Sequence, residues 1–222
     1  MSVWLASVLA HGSSESWSAC GFAVDADGRI ALANGAIEFV DPPAAVGTGG
    51  AATGPTGLAG LAGLAIEVDP DAGIDPPAAI DGVRLDRGTV VPGVEHPNGA
   101  FELDHVVFRT PSLELASEEI TAATGLALKR IRETETVRQG FHRFPAQGGV
   151  RGCIVEIVED PRAIGSSLWG LVINVADLDT VAEQLGPDLI GEAKDAVQPG
   201  RRIATIRKYA GLGVPVALLT PG

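Results

Sequence analysis

The second half of the chain alternates between apolar and polar positions in a way that predicts strands separated by short helices. Residues 103–108 form an apolar, β-rich run. Ser112 is a suitable helix N-cap, apolar residues recur behind it at helical spacing, and Gly125 ends that pattern. Three further strands are expected at residues 126–133, 137–144 and 152–158. This block is therefore predicted to consist of one strand, one helix and three strands.

A second block repeats this order. Residues 168–175 are strand-like and begin 65 positions after residue 103, Asp177 is a second N-cap candidate, and Gly186 ends the second helix. The two terminal glycines are only 61 positions apart. Since a helical turn takes about 3.6 residues, the second helix is predicted to be shorter by about one turn. The remaining strands are expected at residues 190–193, 201–207 and 214–219.

The first hundred residues predict strands and loops rather than helices. Residues 25–28, Asp-Ala-Asp-Gly, suit a tight turn, so a hairpin is expected between residues 21–24 and 29–33. Residues 41–63 are almost wholly Pro, Ala, Gly and Thr, a composition that predicts a flexible loop. Further strands are expected at residues 36–40, 64–68 and 83–85. We therefore predict a β-rich N-terminal region, residues 1–100, ahead of a C-terminal domain, residues 101–222.

Composition and charge exclude several classes of protein. With 222 residues and 45% hydrophobic content, the chain is long enough to bury a sizeable core. Its formal net charge of −12 would repel a phosphate backbone, so no nucleic-acid partner is expected. No apolar run is long enough for a membrane span, and residues 3–10 lack the basic flank of a secretory signal. We expect a cytoplasmic protein with no membrane partner, in which Cys20 and Cys153 are buried thiols.

Basic residues crowd one short stretch of this acidic chain. They are Lys129, Arg130, Arg132, Arg138, Arg143 and Arg151. The stretch indicates locally positive surface, and the alternative is that these side chains are solvated ends of strands and helices.

The two repeated blocks resemble a known family. The run LDHVVFRTPSLELASEEITAATGL resembles the opening of a module of the vicinal oxygen chelate superfamily, which includes glyoxalase-like, bleomycin-resistance and extradiol dioxygenase-like proteins, and CIVEIVED resembles its closing strand. The resemblance covers residues 101–222 and implies an α+β fold. Two βαβββ modules, residues 101–160 and 167–222, would form a curved mixed sheet around a cleft. Residues 35–40 also resemble the closing strand, which suggests a diverged module in the N-terminal half.

The resemblance also implies a divalent metal, held by one residue from the first strand and one from the last strand of each module. His105 and Glu156 take these positions in the first module. Strict alternation would place His105 on one face with Leu103 and Val107, as a polar group in an apolar face. An imidazole with carboxylates suits Mn, Fe, Ni or Zn. The alternative is a core histidine and a carboxylate paired with an arginine.

The second module departs from this pattern. Gly170 stands where His105 would repeat, and Ala217 stands where Glu156 would repeat. Neither can ligate a metal through its side chain. Either other residues complete the site, with His96 and His142 as candidates, or the cleft works without metal.

Further residues are candidates for binding a substrate. Gln198, Arg201 and Arg202 lie in a turn that leads into a strand of the second module, and an arginine there or at Arg143 could bind a carboxylate or phosphate. Trp169 could stack on a ligand. The alternatives are a basic, solubilising hairpin and a tryptophan that belongs to the core.

Two functions are compatible with these residues. In the first, a metal acts as Lewis acid and Glu156 moves a proton, as in a metal-assisted lyase, isomerase or dioxygenase. In the second, the chain is a metal-free protein that binds a small molecule. Both predict a small, anionic, oxygen-rich ligand in the cleft between the modules, and a homodimer is the candidate assembly.

Overall fold

A computed structural model describes residues 3–41, 60–147 and 149–222. In these residues the α-helices are α1 (Ser14–Ala19), α2 (Leu113–Thr124) and α3 (Leu178–Leu185). The strands of the first half are β1 (Val3–Ala10), β2 (Arg29–Leu32), β3 (Gly35–Phe39), β4 (Leu61–Val68), β5 (Ala79–Ile80) and β6 (Val83–Arg87). Those of the second half are β7 (Ala100–Thr110), β8 (Arg130–Glu133), β9 (Arg138–Arg143), β10 (Ile154–Glu159), β11 (Ser167–Val175), β12 (Lys194–Asp195), β13 (Arg202–Thr205) and β14 (Val216–Leu219).

The second half forms one eight-stranded sheet from two βαβββ modules. Its strand order is β12-β13-β14-β11-β7-β10-β9-β8. The first strands of the two modules, β7 and β11, pair antiparallel at the centre, and each closing strand, β10 or β14, runs parallel to the first strand of its own module. The predicted α+β fold of paired modules is therefore confirmed.

The predicted helix ends are also confirmed. The Ser112 hydroxyl accepts a hydrogen bond from the Leu115 N–H at the start of α2, and Gly125 ends this helix with a φ of 73°. Asp177 caps α3 in the same way, and Gly186 ends it. Helix α2 has 12 residues and α3 has 8, which accounts for the change of spacing between the modules.

Some local predictions were wrong. Residues 190–193 form no strand, and only Ile190 makes an isolated bridge, to Ile206. Residues 21–24 form no hairpin strand, since β2 pairs with β3 instead. Helix α1 was missed because its six residues are too few to show helical periodicity. Residues 61–63 belong to β4 rather than to the predicted flexible loop, and residues 42–59 of that loop lie outside the described residues.

The N-terminal sheet repeats the arrangement of the central strands of the C-terminal one, with one strand fewer in each half. Its strand order is β2-β3-β1-β4-β6-β5. The first strands, β1 and β4, again pair antiparallel at the centre, and β3 and β6 run parallel to them as closing strands do. The two elements β4 and β11 share the pattern Leu-x-Gly-Leu-x-Ile-x-Val. The suggestion that residues 35–40 correspond to a closing strand agrees with this arrangement.

The two sheets pack against one another through a continuous apolar core. Leu5 and Ile66 of the first sheet share one cluster with Val106, Phe108 and Ile173 of the second. The helices lie on the same inner side, since their apolar residues belong to this cluster. Both cysteines are buried and free, as predicted. The division of the chain into domains at residue 100 remains a prediction. None of the described helices has the length and apolar character needed to cross a membrane.

Residues 88–94 lie across the outer face of the N-terminal sheet. Val90 packs against the small cluster of Ala6, Leu9 and Ala65. The Val90 N–H donates to the Glu67 carboxylate at 2.6 Å. The outer face of the C-terminal sheet, by contrast, carries the predicted metal ligands.

Candidate functional site

A bulge in β7 brings Asp104 beside His105. The β11 partner of His105 is Val172 and that of Leu103 is Ile173, so Asp104 is an extra residue between them. Leu103 consequently belongs to the core, and the prediction that it shares a face with His105 was wrong. The Asp104 carboxylate lies 2.9 Å from His105 Nδ1 instead.

His105 lies between two carboxylates. Its Nε2 is 3.2 Å from Glu156 Oε2, and the Asp104 carboxylate contacts its Nδ1 on the other side. Glu156 also accepts a hydrogen bond from the Gln139 amide, and Asp104 accepts one from Arg201 at 3.0 Å. Burial acts to raise the pKa of Asp104, but the hydrogen bonds and charges of His105 and Arg201 outweigh it and hold that pKa well below its ordinary value.

A pocket of about 300 Å³ opens over His105 and Glu156. Its lining residues are Asp104, His105, Lys129, Arg130, Phe141, His142, Arg143, Ile154, Glu156 and Gln198. Within the described part of the chain, none of its basic residues Lys129, Arg130 and Arg143 forms an ion pair with a carboxylate. The Arg130 guanidinium lies over the Phe141 ring at 4.8 Å. In a chain with a net charge of −12, three such cations in one pocket favour an anionic ligand.

Strand register fixes which residues of the second module correspond to His105 and Glu156. His105 is opposite Val172, and Gly170 is opposite Val107, as a two-fold relation between the modules requires. Val107 pairs with Glu156 and Val172 pairs with Ala217. The second-module positions are therefore Gly170 and Ala217.

Gly170 also leaves no space for a ligating side chain. A Cβ there would lie 2.9 Å from the Pro215 carbonyl oxygen on the neighbouring chain segment.

The donor set does not fit the metal site that the resemblance implies. Across the described ranges, no three His, Cys, Asp or Glu side chains form a group that could hold a metal ion. The two candidate substitutes are engaged elsewhere. His96 Nδ1 accepts from the Ala23 N–H and Nε2 contacts the Ala31 carbonyl. His142 contacts the Ser117 hydroxyl and the Leu126 carbonyl.

Both of these histidines are buried. Burial lowers the pKa of His96 and of His142, which favours neutral imidazoles. Only 7% of His96 is exposed, although it lies in the loop before β7.

Only two of the five predicted substrate-binding residues line the pocket. Arg143 and Gln198 line the pocket. Arg201 is buried against Asp104, and Arg202 pairs with Asp179 of α3. Trp169 is half exposed and is not among the residues that line the pocket. The binding roles of all five remain predictions.

Sequence reasoning missed several residues of the pocket. Asp104, Phe141 and Ile154 were not proposed, and Lys129 and Arg130 were noted only as part of a basic stretch. Two adjacent polar residues, Asp104 and His105, inside an apolar strand were the available signal for a bulge, because strict alternation buries one of them.

A second cavity is larger but less suited to polar chemistry. It has a volume of about 560 Å³ and is lined mostly by apolar residues. These are Ala33, Val90, Val91, Pro92, Gly93, Val94, Glu95, Phe101, Gln147 and Val150. With Glu95 as its one charged lining residue in the described chain, it offers no counterpart of the histidine and cations beside β7.

The fold is that of paired βαβββ modules, and comparison with known proteins adds weak similarities. No protein-family model matches the chain, and no curated protein matches it. Methylmalonyl-CoA epimerase of Streptomyces coelicolor, solved with 2-nitronate-propionyl-CoA, is 18% identical over 54% of this chain and 96% of its own, with a TM-score of 0.45. The epimerase of Mycobacterium tuberculosis is 20% identical over 56% of this chain and 90% of its own, with a TM-score of 0.44. Similarities of this size carry no information about activity.

Proposed function

We propose that the chain binds a small anionic molecule in the pocket beside His105, and that it does so without a metal ion. The observation that carries the proposal is the set of three cations, Lys129, Arg130 and Arg143, that line the pocket without a carboxylate partner among the described residues. Cations without partners attract a carboxylate or phosphate, and arginine can bind either through two parallel hydrogen bonds.

The carboxylates in the pocket do not cancel this attraction. Asp104 is paired with Arg201, which is buried beneath it. Glu156 contacts His105 and accepts from Gln139. The negative groups of the pocket thus have partners of their own.

The metal-assisted lyase, isomerase or dioxygenase predicted from the sequence rests on His105 and Glu156 alone. With Gly170 and Ala217 in the second module, two protein ligands would leave most positions of a metal ion to water, and such a site binds weakly. We therefore prefer metal-free binding. Cytoplasmic location and a homodimer remain predictions.

A thermal-shift screen tests the proposal. We expect small anions such as phosphate, citrate or benzoate to raise the melting temperature in the presence of EDTA, because a ligand that binds only the folded state stabilises it. Added Mn²⁺ or Zn²⁺ should not be needed. Stabilisation that appears only with the metal would contradict the proposal, as would the absence of any stabilising anion.

A matched pair of variants localises the site. For an anion found in the screen, Arg143→Gln should raise the dissociation constant about tenfold or more. A hydrogen bond to a charged group contributes roughly 1.5–3 kcal/mol to binding. Arg162→Gln removes the same charge from a side chain that is 92% exposed and does not line the pocket. Equal losses in the two variants would indicate a general charge effect.

A further inference from the structure

The pocket is divided into a cationic side and an acidic side. Neighbouring strands carry the two sides in the order β8, β9, β10, β7. Arg130 and Arg143 come from β8 and β9, whereas Asp104 and His105 come from β7. Since adjacent strands are about 4.8 Å apart, roughly 10 Å of sheet separates β9 from β7. A ligand that fills the pocket must therefore meet two different environments.

Apolar surface lies between these two sides. Phe141 of β9 and Ile154 of β10 both line the pocket and are both partly exposed. Arg130 stacks on the Phe141 ring and is held at the edge of this surface. An inorganic anion would contact the cations and leave the apolar surface in water, whereas a ligand with a hydrocarbon body would cover it.

Glu156 has hydrogen-bonding capacity that its protein partners do not exhaust. One carboxylate oxygen contacts His105 and the other accepts from Gln139. An ionised carboxylate has about four acceptor sites, so further donors can bind it. A second anionic group at this place would be repelled, while a hydroxyl or amino group would donate a hydrogen bond.

We infer that the ligand of this pocket is a small organic acid with an apolar body and a hydroxyl or amino group opposite its carboxylate. This inference rests on the proposed function, because it places the carboxylate at Lys129, Arg130 and Arg143. The apolar body covers Phe141 and Ile154. A pocket of about 300 Å³ limits the ligand to a small molecule, since ligand pockets commonly measure roughly 300–1,000 Å³.

Three probes compared by calorimetry in EDTA test the inference. They are inorganic phosphate, benzoate, and 4-hydroxybenzoate. We expect 4-hydroxybenzoate to bind about tenfold or more tightly than benzoate, the difference expected for a hydrogen bond to a charged group, and phosphate to bind most weakly. Phosphate binding as tightly as 4-hydroxybenzoate would overturn the inference but leave anion binding intact. If none of the three binds, and no other anion does, the proposed function itself fails.

The variant Glu156→Gln separates recognition of the hydroxyl from general damage to the fold. It keeps the size of the side chain and removes its charge. Benzoate should bind this variant at least as tightly as the native protein, because a repulsive charge is gone. The preference for 4-hydroxybenzoate should fall to about fivefold or less, the effect of a hydrogen bond between neutral groups. A preference that stays unchanged in Glu156→Gln would overturn the inference. Weaker binding of both probes would also count against it.

Discussion

Arg201 and Asp104 form an ion pair that joins the two modules beneath the pocket. Arg201 Nη1 lies 3.0 Å from Asp104 Oδ2, and the two side chains are 5% and 7% exposed. Arg201 precedes β13 of the second module, whereas Asp104 is the bulge residue of β7 in the first. The guanidinium also donates to the Gln198 side chain at 2.6 Å and to the Thr220 carbonyl at 2.7 Å. Arg201 thus positions Gln198, which lines the pocket.

Removal of one partner from this pair should be strongly destabilising. We expect Arg201→Met to lower the free energy of unfolding by about 3–5 kcal/mol, because it leaves the buried Asp104 carboxylate without its cation. The adjacent Arg202 provides the control, since it pairs with Asp179 at an exposed position. Arg202→Met should cost less than about 1 kcal/mol. Urea denaturation measures both values, and similar losses would show that the buried pair has no special role.

The same pair should make stability depend on acid pH. The pKa of Asp104 is depressed in the folded protein, whereas in the unfolded chain it should lie near its ordinary value of about 3.9. The stabilisation is therefore fully present above about pH 4 and is lost as the pH falls toward the folded-state pKa. The stability difference between the native protein and Asp104→Asn should be similar at pH 7 and pH 5 and should narrow below about pH 4. A stability difference between the two proteins that grows as the pH falls would contradict this prediction.

The repeated modules could be predicted from sequence because their signals are local. The Ser112 and Asp177 caps and the Gly125 and Gly186 ends depend on a few adjacent residues, and their spacing revealed the shorter second helix. The geometry of the site was harder to predict, since it depends on a bulge. One extra residue, Asp104, changes which side chains share a face, and strict alternation cannot represent this.

Ion pairs between residues far apart in the chain could also not be predicted from the sequence. Arg201 and Arg202, at the start of β13, were predicted as a group, yet Arg201 is buried against Asp104 and Arg202 is partly exposed beside α3. No local pattern distinguishes them. The sequence does contain a signal for the N-terminal sheet. Strands β4 and β11 share the pattern Leu-x-Gly-Leu-x-Ile-x-Val, in which only apolar positions and one glycine repeat.

Ser7 should be replaceable by alanine without loss of stability. It is fully buried, and its hydroxyl has no hydrogen-bond partner among the described residues. Like His105, it follows the extra residue of a bulge in the first strand of its sheet. Ser7→Ala should leave the free energy of unfolding unchanged or raise it by up to about 1 kcal/mol, because an unsatisfied polar group is removed.

Ser117 is the matched control for this change. Its hydroxyl lies 3.0 Å from His142 Nε2 in a buried contact. Ser117→Ala should therefore lower stability by about 1–3 kcal/mol, since the imidazole nitrogen loses its partner. Chemical denaturation of the two variants side by side gives the comparison. A larger loss for Ser7→Ala than for Ser117→Ala would show that the Ser7 hydroxyl forms a hydrogen bond in the folded protein.

Two glycines in the corresponding strands β4 and β11 should not tolerate alanine, because each lies too close to a backbone carbonyl oxygen. A Cβ at Gly63 would lie 2.5 Å from the Arg84 carbonyl oxygen, and one at Gly170 would lie 2.9 Å from that of Pro215. Because the clash is with backbone, Gly63→Ala and Gly170→Ala should each cost about 1–3 kcal/mol. Gly165→Ala is the control, since nothing lies within 4 Å of its Cβ position. Melting curves of all three test whether the close approach matters, and three equal melting temperatures would show that it does not.

Binding should occur at one site per chain, although the central strands of the two sheets have the same arrangement. Residues 88–94 lie on the outer face of the N-terminal sheet, where Val90 packs on Ala6, Leu9 and Ala65. A Cβ at Gly88 would lie 2.9 Å from Ala6 Cβ, so this segment fits closely against the sheet. Calorimetric titration with an anion that binds should give a stoichiometry near one, and Arg143→Gln should weaken all of this binding by about tenfold or more. Residual binding of unchanged affinity in Arg143→Gln would instead reveal a second site beneath the segment or elsewhere on the chain.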